Sequence, residues 1–494
     1  MMKHIPAVLF LIPLVAAISM PMVVLRRPGW GRPMTLFAAC AMCVTAVANL
    51  LVVLNSGEIR YLFGGWRAPV GIEWVADGLA SVMMIAVSLL ATVCLVYGGS
   101  VKLPGSARRL ALHYILILLL LSALTGVVFA ADLFNVFVFL EVATLCTSGL
   151  VAIAGGKALV FAFRYLILAS IGATFYLLGV SFLYAATGTL NMADLAQRLP
   201  GLLGSKAVIV GLVFMFIGLA IKMALMPLHG WLPDAYTYAL DAVSPLLSSL
   251  VTKVALFAWI RIMYWVVGAG HDAETAQALR VCWMLGALAA VGGAFLALIQ
   301  QDVKRMFAYG GVSHIGLIMI GAGLGNQTGL AGSMFYLIND AVMQATLFVL
   351  AGVAISHYGV RTMGDLAVLR ERAPWMIGGL IIVGLSMIGI PPTGGFFGKW
   401  YIVLGALQSG EYVAVGAVIV ATLLTMAYFM GLFVRIFASH YGGGEQASPV
   451  APAAEMPLVL RVCVGILCVG ILSLGLCSDR IVKVLLDATS SLKL

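Results

Sequence analysis

Two lysines lie inside otherwise apolar segments, on either side of a helix-breaking sequence. Lys222 and Lys253 flank residues 227–234, which read PLHGWLPD. A charged side chain in the middle of a bilayer costs roughly 2.5–3.5 kcal/mol on the mildest scale, so such residues are rare and commonly functional. Proton binding and release is the chemistry that suits them, because burial lowers the proton affinity of an amine and a nearby carboxylate restores it.

Glu141 is the carboxylate that could pair with one of these lysines. It lies nine residues after Asp132, where its apolar segment begins, and is therefore about 13 Å deep at 1.5 Å per residue. At that depth it either locks helix packing through one ion pair or takes part in proton transfer. Acidic residues inside membranes commonly mark ion pathways, and we interpret Glu141 as functional.

Two histidines extend this set of ionisable residues. His229 lies in the break between the lysines, where it could relay a proton near neutral pH or only bond one backbone carbonyl. His314 lies a helical turn or two into a later apolar segment. Both are candidate intermediates between the charged residues.

The second half of the chain contributes Asp340 and Lys399. Asp340 and Gln344 are four residues apart on one predicted helix and share a face. An uncovered aspartate is costly there, so we expect Asp340 to be paired or protonated. Lys399 follows a proline- and glycine-rich break at 389–395. The candidate proton-relay residues are Glu141, Lys222, Lys253, Lys399, His229, His314 and Asp340.

No other chemistry is indicated by the motifs. The sequence contains no haem motif, no iron–sulfur cysteine run, no glycine-rich nucleotide loop and no zinc motif. The eight cysteines stand in apolar segments, and we interpret them as small core residues. We therefore expect neither a cofactor nor a metal site, and no redox catalysis by the chain itself.

The composition is that of a polytopic membrane protein. Of the 494 residues, 63% are hydrophobic and 10% are charged, whereas soluble domains have roughly 45–50% apolar and about 25% charged residues. Crossing the hydrocarbon core takes about 20 apolar residues. The sequence predicts an all-α integral membrane protein with about 14 transmembrane spans, near 5–24, 34–54, 77–98, 110–130, 132–154, 161–186, 207–228, 243–266, 278–300, 305–325, 331–356, 376–405, 412–437 and 457–478.

Spans 7 and 12 share one design, because each is broken at proline and carries one lysine. The lysine precedes the break in span 7 and follows it in span 12. Spans that are five apart enter the membrane from opposite sides, so this pattern indicates two inverted five-helix repeats, spans 4–8 and spans 9–13. The predicted regions are 1–105 with spans 1–3, 106–268 and 269–440 with one repeat each, and 441–494 with span 14, after a flexible linker at 441–455.

The net charge of +9 comes from basic residues in short loops. We therefore interpret it as a determinant of membrane orientation and not as a sign of nucleic-acid binding. More of them lie on the side that holds the loop after span 1, where we also place Lys304 and Arg305 as topological charges. The positive-inside rule then puts both termini outside the cell membrane of a bacterium or archaeon. Asp77, at the start of span 3, is expected to cap that helix.

Five motifs carry a family resemblance: DLFNVFVFLE (132–141), KMALMPLHGWLPDAYT (222–237), LLSSLVTK (246–253), QDVKRMFAYGGVSHIG (301–316) and GIPPTGGFFGKW (389–400). Over roughly residues 60–478 the chain resembles the antiporter-like membrane subunits of respiratory complex I, membrane-bound hydrogenases and Mrp-type cation/proton antiporters. The loop GGWRAPVGIEWVADGL and the fourteen spans without a long lateral helix are most similar to the Mrp-type D subunit.

The resemblance implies a role for each charged candidate. Glu141 and Lys222 match the helix 5 glutamate and the helix 7 lysine of the family. Lys253 and Lys399 match its central helix 8 lysine and its terminal helix 12 lysine. The implied partners are other membrane subunits of a multisubunit complex, and the implied transported species are protons and, in the antiporters, Na⁺.

Helix 11 departs from the family pattern. The family commonly has a histidine there and a lysine four residues later, where this chain has Asp340 and Gln344. The departure leaves open whether protons cross between the two halves through Asp340 or whether this copy carries a different ion.

Three functions fit these features. The first is a proton-translocating subunit, with Na⁺/H⁺ antiport as one form of that transport. The second is an energy-coupling, proton-pumping subunit of a redox complex of the NADH:quinone oxidoreductase or membrane-bound hydrogenase type. The third is a structural membrane anchor with degenerate ion sites. Local sequence hardly separates the first two, whereas the subunits that purify with the chain would.

Overall fold

The computed structural model describes residues 2–101, 106–270, 273–437 and 457–489. Within these residues the chain forms nineteen α-helices and one β-hairpin. The first half contains α1 (Ile5–Arg26), α2 (Gly31–Ser56), α3 (Gly78–Gly98), α4 (Ala107–Phe129), α5 (Leu133–Ala152), α6 (Lys157–Thr187), α7 (Met192–Arg198), α8 (Lys206–Lys222), α9 (Leu232–Tyr238) and α10 (Ser244–Arg261). The second half contains α11 (Ala273–Leu298), α12 (Val303–Ala322), α13 (Gln327–Tyr358), α14 (Val368–Arg372), α15 (Pro374–Ile388), α16 (Gly394–Gln408), α17 (Tyr412–Phe437), α18 (Leu458–Leu476) and α19 (Ser478–Thr489).

Shorter elements complete the described chain. The hairpin consists of β1 (Ile59–Leu62) and β2 (Glu73–Ala76). A π-helical turn (Ile262–Val266) extends α10. Single 3-10 turns lie at Met2–His4, Pro28–Trp30, Phe63–Gly65, Leu199–Gly201 and Asp365–Ala367.

Eleven helices within the described residues are long and apolar enough to cross a membrane. They coincide with eleven of the predicted spans, and the all-helical class is confirmed. The other three predicted spans are 207–228, 305–325 and 376–405, where the structure has α8, α12 and the pair α15 and α16. The predicted linker at 441–455 and the boundaries drawn after residues 105 and 440 lie outside the described residues.

One short β-hairpin, which the sequence did not indicate, accompanies the helices and lies at one end of the bundle. Its glycine-rich connection includes Gly64 and Gly65, whose φ angles of 63° and 78° favour glycine. Trp74 of β2 forms a β-bridge with Ala130, at the end of α4. We call this end of the bundle, which also holds the end of α10, the hairpin end.

The opposite end of the bundle gathers the connection between α9 and α10, the end of α3 and the start of α12. Gly98 of α3 packs against Ala242 in the α9–α10 connection. Asp302, which caps α12 by accepting a hydrogen bond from the Arg305 amide at 3.0 Å, forms a β-bridge with Thr362. These contacts bring loops from both halves of the chain together.

Two breaks interrupt helices inside the bundle. The first separates α8 from α9 and contains Ala224, whose φ of 58° ends the helix. Trp231 donates its indole N–H to the Ile221 carbonyl at 2.9 Å, which satisfies one acceptor at the end of α8. The second separates α15 from α16, where Gly389 adopts a left-handed φ of 87°. Freed carbonyls are tolerated at membrane depth only where protein or water satisfies them.

Close helix contacts position the residues next to these breaks. On α6 and α8 the small residues Gly172 and Gly179 face Gly218 and Gly211, so that the two backbones touch. A methyl group at Gly218 would lie 2.5 Å from the Gly172 carbonyl oxygen. Small residues permit such an approach, and it holds Lys222, one turn after Gly218, in a defined place.

The contact between α11 and α12 is built in the same way. A Cβ at Gly316 would lie 2.5 Å from the Gly286 carbonyl oxygen. Ser313 donates a hydrogen bond to the Ala290 carbonyl at 2.7 Å. Because His314 lies between Ser313 and Gly316, this contact sets the direction of its imidazole.

Replacing Gly316 by valine is therefore expected to destabilise the protein. The added side chain meets backbone atoms of α11, and overpacking of this kind typically costs about 1–3 kcal/mol. Thermal unfolding of the detergent-solubilised protein would measure the loss as a lower midpoint. Gly416→Val on α17 is the matched control, because nothing lies within 4 Å of a Cβ at Gly416; equal melting of the two variants would contradict the packing argument.

Candidate functional site

The centre of the bundle holds a fully buried triad from three helices. Lys253 of α10 places its Nζ 2.9 Å from Asp340 Oδ2, and His314 of α12 places its Nδ1 3.0 Å from Asp340 Oδ1. The side chains are 2%, 0% and 0% exposed for Lys253, Asp340 and His314. Asp340 of α13 is thus paired on both oxygens, as its place in an apolar helix requires.

Neighbouring groups make further polar contacts with the triad. The Lys253 amine also donates a hydrogen bond to the Ser248 carbonyl of its own helix at 2.9 Å. The Tyr336 hydroxyl lies 3.2 Å from His314 Nδ1, one turn before Asp340 on α13. Partners on several helices over-determine the geometry of the triad, and buried polar networks are costly unless they are satisfied in this way.

A second pair joins Glu141 of α5 to Lys222 at the end of α8. The Lys222 amine donates to Glu141 Oε1 at 2.7 Å and also contacts the Thr144 hydroxyl. Lys222 is 6% exposed, whereas Glu141 is 26% exposed. The pair therefore joins a buried amine, at a helix break, to a partly exposed carboxylate.

Lys399 of α16 has a different environment. Its amine donates to the Met387 and Ile388 carbonyls at 2.8 and 3.1 Å and to the Thr422 hydroxyl at 3.2 Å. These carbonyls belong to the last turn of α15, where unpaired acceptors and the negative end of the helix dipole favour a cation. No carboxylate of the described residues lies within ion-pair distance of this lysine.

His229 lies in the first break and is half-buried. Its ring centroid is 6.0 Å from that of Tyr309, and its Nδ1 has no protein partner among the described residues. No hydrogen bond, ion pair or ring contact joins it to the triad or to the Glu141–Lys222 pair. The structure thus brings three of the candidates together in the triad, two in a pair, and leaves His229 and Lys399 separate from both.

The interpretation of Lys304 as a topological loop charge is wrong. The structure places it in the first turn of α12 with its side chain 3% exposed, and its amine lies 2.6 Å from Asp241 Oδ1. The next residue, Arg305, is more exposed and binds Asp234 at 2.6 Å. The available signal was Asp241 itself, an isolated acid between two apolar segments beside Ser244.

Asp77 caps α3 as expected, and it also forms an ion pair that the sequence did not indicate. It accepts a hydrogen bond from the Ala80 amide at 2.8 Å. Its other oxygen lies 2.8 Å from the Arg261 guanidinium, at the hairpin end of α10. An ion pair thus holds one end of the helix that carries Lys253, and a hydrogen bond from Lys304 to the Ser244 hydroxyl holds the other.

The comparisons with known proteins agree with this architecture. The family model described as NADH:quinone oxidoreductase/Mrp antiporter, TM, matches residues 130–425. The NADH-quinone oxidoreductase subunit N of Desulforudis audaxviator is 39% identical over 98% of this chain and 97% of its own length. The putative antiporter subunit mnhD2 of Staphylococcus saprophyticus is 33% identical over 92% of this chain and 89% of its own length.

Among solved structures, a chain of the Mrp complex from Dietzia sp. DQ12-45-1b superimposes with a TM-score of 0.89 at 25% identity, covering 99% of this chain and 97% of that one. The family model spans more than half of the sequence and includes all seven candidate residues. The chain is therefore a multi-pass membrane subunit of the NADH:quinone oxidoreductase/Mrp antiporter family.

Proposed function

We propose that this chain translocates protons, alone or in exchange for Na⁺, as one subunit of a larger membrane complex. The observation that carries the proposal is the triad of Lys253, Asp340 and His314, which is buried at the centre of the bundle with an amine, a carboxylate and an imidazole in contact. Ionisable groups at such a depth commonly mark ion pathways.

The triad is suited to proton transfer because its carboxylate lies between two bases. Asp340 forms an ion pair with Lys253 through one oxygen and contacts His314 through the other. A proton held by Lys253 can therefore pass across the carboxylate to the imidazole within hydrogen-bond distances. These contacts support Asp340 of α13 as the residue that bridges the two halves in this chain.

The Glu141–Lys222 pair supplies a switch in the first half of the chain. While Glu141 lies 2.7 Å away, the carboxylate stabilises the protonated form of Lys222. Opening of the pair would release that proton at the helix break beside His229. Lys399, at the second break, would pass protons at the far end of the series, and waters would connect these groups.

The proposal includes a membrane topology. We infer fourteen spans, with α8 and α9, α12, and α15 with α16 crossing in addition to the eleven long apolar helices. The inverted repeats then comprise residues 106–268 and 269–440, between the regions 1–105 and 441–494. The opposite end of the bundle faces the cell interior and both termini lie outside, as the positive-inside rule requires.

A redox-coupled role is the second candidate function. It is favoured by the 39% identity to a protein named NADH-quinone oxidoreductase subunit N. Purification of the tagged chain from its native membrane separates the two roles. Co-purifying iron–sulfur and dehydrogenase or hydrogenase subunits would assign the redox-coupled role, and small cation-antiporter subunits would assign the antiporter role.

Replacing Lys399 by glutamine tests the translocation proposal. The variant keeps hydrogen bonds to the α15 carbonyls but loses the titrating amine, so ion transport should fall about 10-fold. The measurement is proton or Na⁺ flux in membrane vesicles, normalised to the amount of assembled complex. Thr425→Val on α17 is the control, because the Thr425 hydroxyl donates to the Ala421 carbonyl of its own helix and makes no hydrogen bond with Lys399. Unchanged transport by the assembled Lys399→Gln complex would favour the structural-anchor hypothesis instead.

A further inference from the structure

A buried ion pair that the proposed relay does not use lies at the opposite end of the bundle. Lys304 Nζ is 2.6 Å from Asp241 Oδ1, with side-chain exposures of 3% and 21%. Lys304 also donates to the Ser244 hydroxyl at 3.1 Å, at the first residue of α10. A buried ion pair is weak support for stability, because desolvation offsets much of the attraction. The burial of this pair therefore points to a role other than stability.

Two helices lead directly from this pair to the central triad. On α10, Ser244 precedes Lys253 by nine residues, a rise of about 13 Å. On α12, Lys304 precedes His314 by ten residues, a rise of about 15 Å. Each helix thus carries, in its first turn, Lys304 or its hydrogen-bond partner Ser244, and in its middle one member of the triad.

Polar groups occupy the interval between the pair and the triad. Gln344 lies one turn from Asp340 on α13, in the direction of the opposite end, and its buried Nε2 has no protein partner among the described residues. Gly311 of α12 faces this amide, because a Cβ there would lie 3.2 Å from Gln344 Nε2. Buried amides without protein partners are normally bound by water. Ser248 of α10 adds a carbonyl that already accepts from Lys253.

Asp241 is the solvent-exposed member of the ion pair, and Lys304 is enclosed by protein groups. Asp302 and Arg361, which bind each other at 3.3 Å, are the other charges close to Lys304. The Tyr97 hydroxyl is buried without a protein partner among the described residues, and it faces Gly352 together with the Asp241 Cβ. Asp241 is the more exposed member of the pair.

We propose that Asp241 and Lys304 form the entrance through which protons reach the triad from the opposite end of the bundle. The inference rests on the proposed translocation function and adds its access point. A proton from water protonates the Asp241 carboxylate, which frees the Lys304 ammonium. Lys304 passes one proton through Ser244 and water towards Lys253, and its neutral amine then takes the proton from Asp241. One proton has entered, and both side chains regain their charges.

Three variants separate an entrance from a structural ion pair. Asp241→Asn should lower vesicle transport about 10-fold, because the proton acceptor is gone. The double variant Asp241→Asn with Lys304→Gln leaves no unpaired buried charge, so it repairs any purely structural defect. An entrance predicts that the double variant transports as poorly as the single one, while Asp241→Glu keeps at least half of the wild-type rate.

The dependence of transport on pH is a second measurement, and it should not change if the ion pair is only structural. Transport is measured while the pH is varied only on the membrane face at the opposite end. Asp241→Glu should shift the midpoint of that profile. Asp77→Asn, which breaks the ion pair with Arg261 at the hairpin end, should leave it in place.

Each outcome decides between the two proposals. If Asp241→Asn transports at the wild-type rate while Lys253→Met does not transport, the proposed entrance is refuted and the proposed relay is retained. Wild-type transport by both variants would overturn the relay as well. Recovery of transport in the double variant would show that the pair is structural. An unchanged pH profile in Asp241→Glu would lead to the same conclusion. Should Asp241→Asn fail to assemble, the double variant and Asp241→Glu decide in the same way.

Discussion

Replacing Asp340 by asparagine is expected to abolish ion transport, with a loss of about 100-fold or more. Asparagine keeps the size of the side chain but cannot accept a proton from Lys253 at 2.9 Å or exchange one with His314 at 3.0 Å. Lys253 would also lose its carboxylate partner. Leaving the Lys253 amine buried without that partner costs about 3–5 kcal/mol. The variant would therefore lose both the bridging carboxylate and the ion pair that holds Lys253 in place.

The measurement is flux in vesicles per amount of assembled complex. Thr346→Val is the matched control, because Thr346 is buried on the same helix and its hydroxyl bonds only the Val342 carbonyl. The double variant Lys253→Met with Asp340→Leu replaces the ion pair by apolar side chains and should assemble normally while transporting nothing. Half of the wild-type flux from fully assembled Asp340→Asn complexes would refute the bridging role of Asp340.

The helices of this protein could be predicted from sequence because membrane spans have a strong signal. In a chain this poor in charge, a run of about 20 apolar residues is hard to place anywhere but across a bilayer. The breaks were visible for the same reason, since the proline-containing segments at 227–234 and 389–395 interrupt such runs. The β-hairpin was not predictable, because its four-residue strands lie in a glycine-rich loop without a regular alternation.

The identities of the charged residues were predictable, but their partners were not. Lys253 and Asp340 are 87 residues apart and meet only because α10 packs against α13. Which face of each helix meets the other is set by side-chain packing over the whole bundle. The sequence indicated that Asp340 needs a partner, whereas the choice of Lys253 together with His314 follows from the fold.

Lys304 shows how a single residue position can mislead. It stands beside Arg305 in a sequence that reads as a basic loop, QDVKR. Once α12 begins at Val303, successive residues point about 100° apart around the helix axis. Lys304 therefore points inward to Asp241 while Arg305 remains partly exposed. The helix start, and not the charge pattern, decides which of the two is buried.

Neutralising Glu141 is the second change with a large expected effect. Glu141→Gln should lower transport about 10- to 100-fold, the range of a strong coupling between two sites. Lys222 would keep its contact with the Thr144 hydroxyl but lose the carboxylate at 2.7 Å that stabilises its charged form. The proton that the pair holds in its closed state would no longer be available at the helix break.

The relation between Glu141→Gln, Lys222→Met and the double variant tests whether the two residues act as one switch. Residues that form a unit give non-additive effects, so the double variant should transport about as poorly as either single one. The Asp194–Arg198 pair, at 2.9 Å on the surface of α7, is the matched control. Exposed pairs of this kind contribute little, and Asp194→Asn should leave flux unchanged within about 2-fold. If the fold-losses of the two single variants multiply in the double variant, the two side chains act independently. If they share one proton, removing either side chain already removes it, so the second substitution should add little.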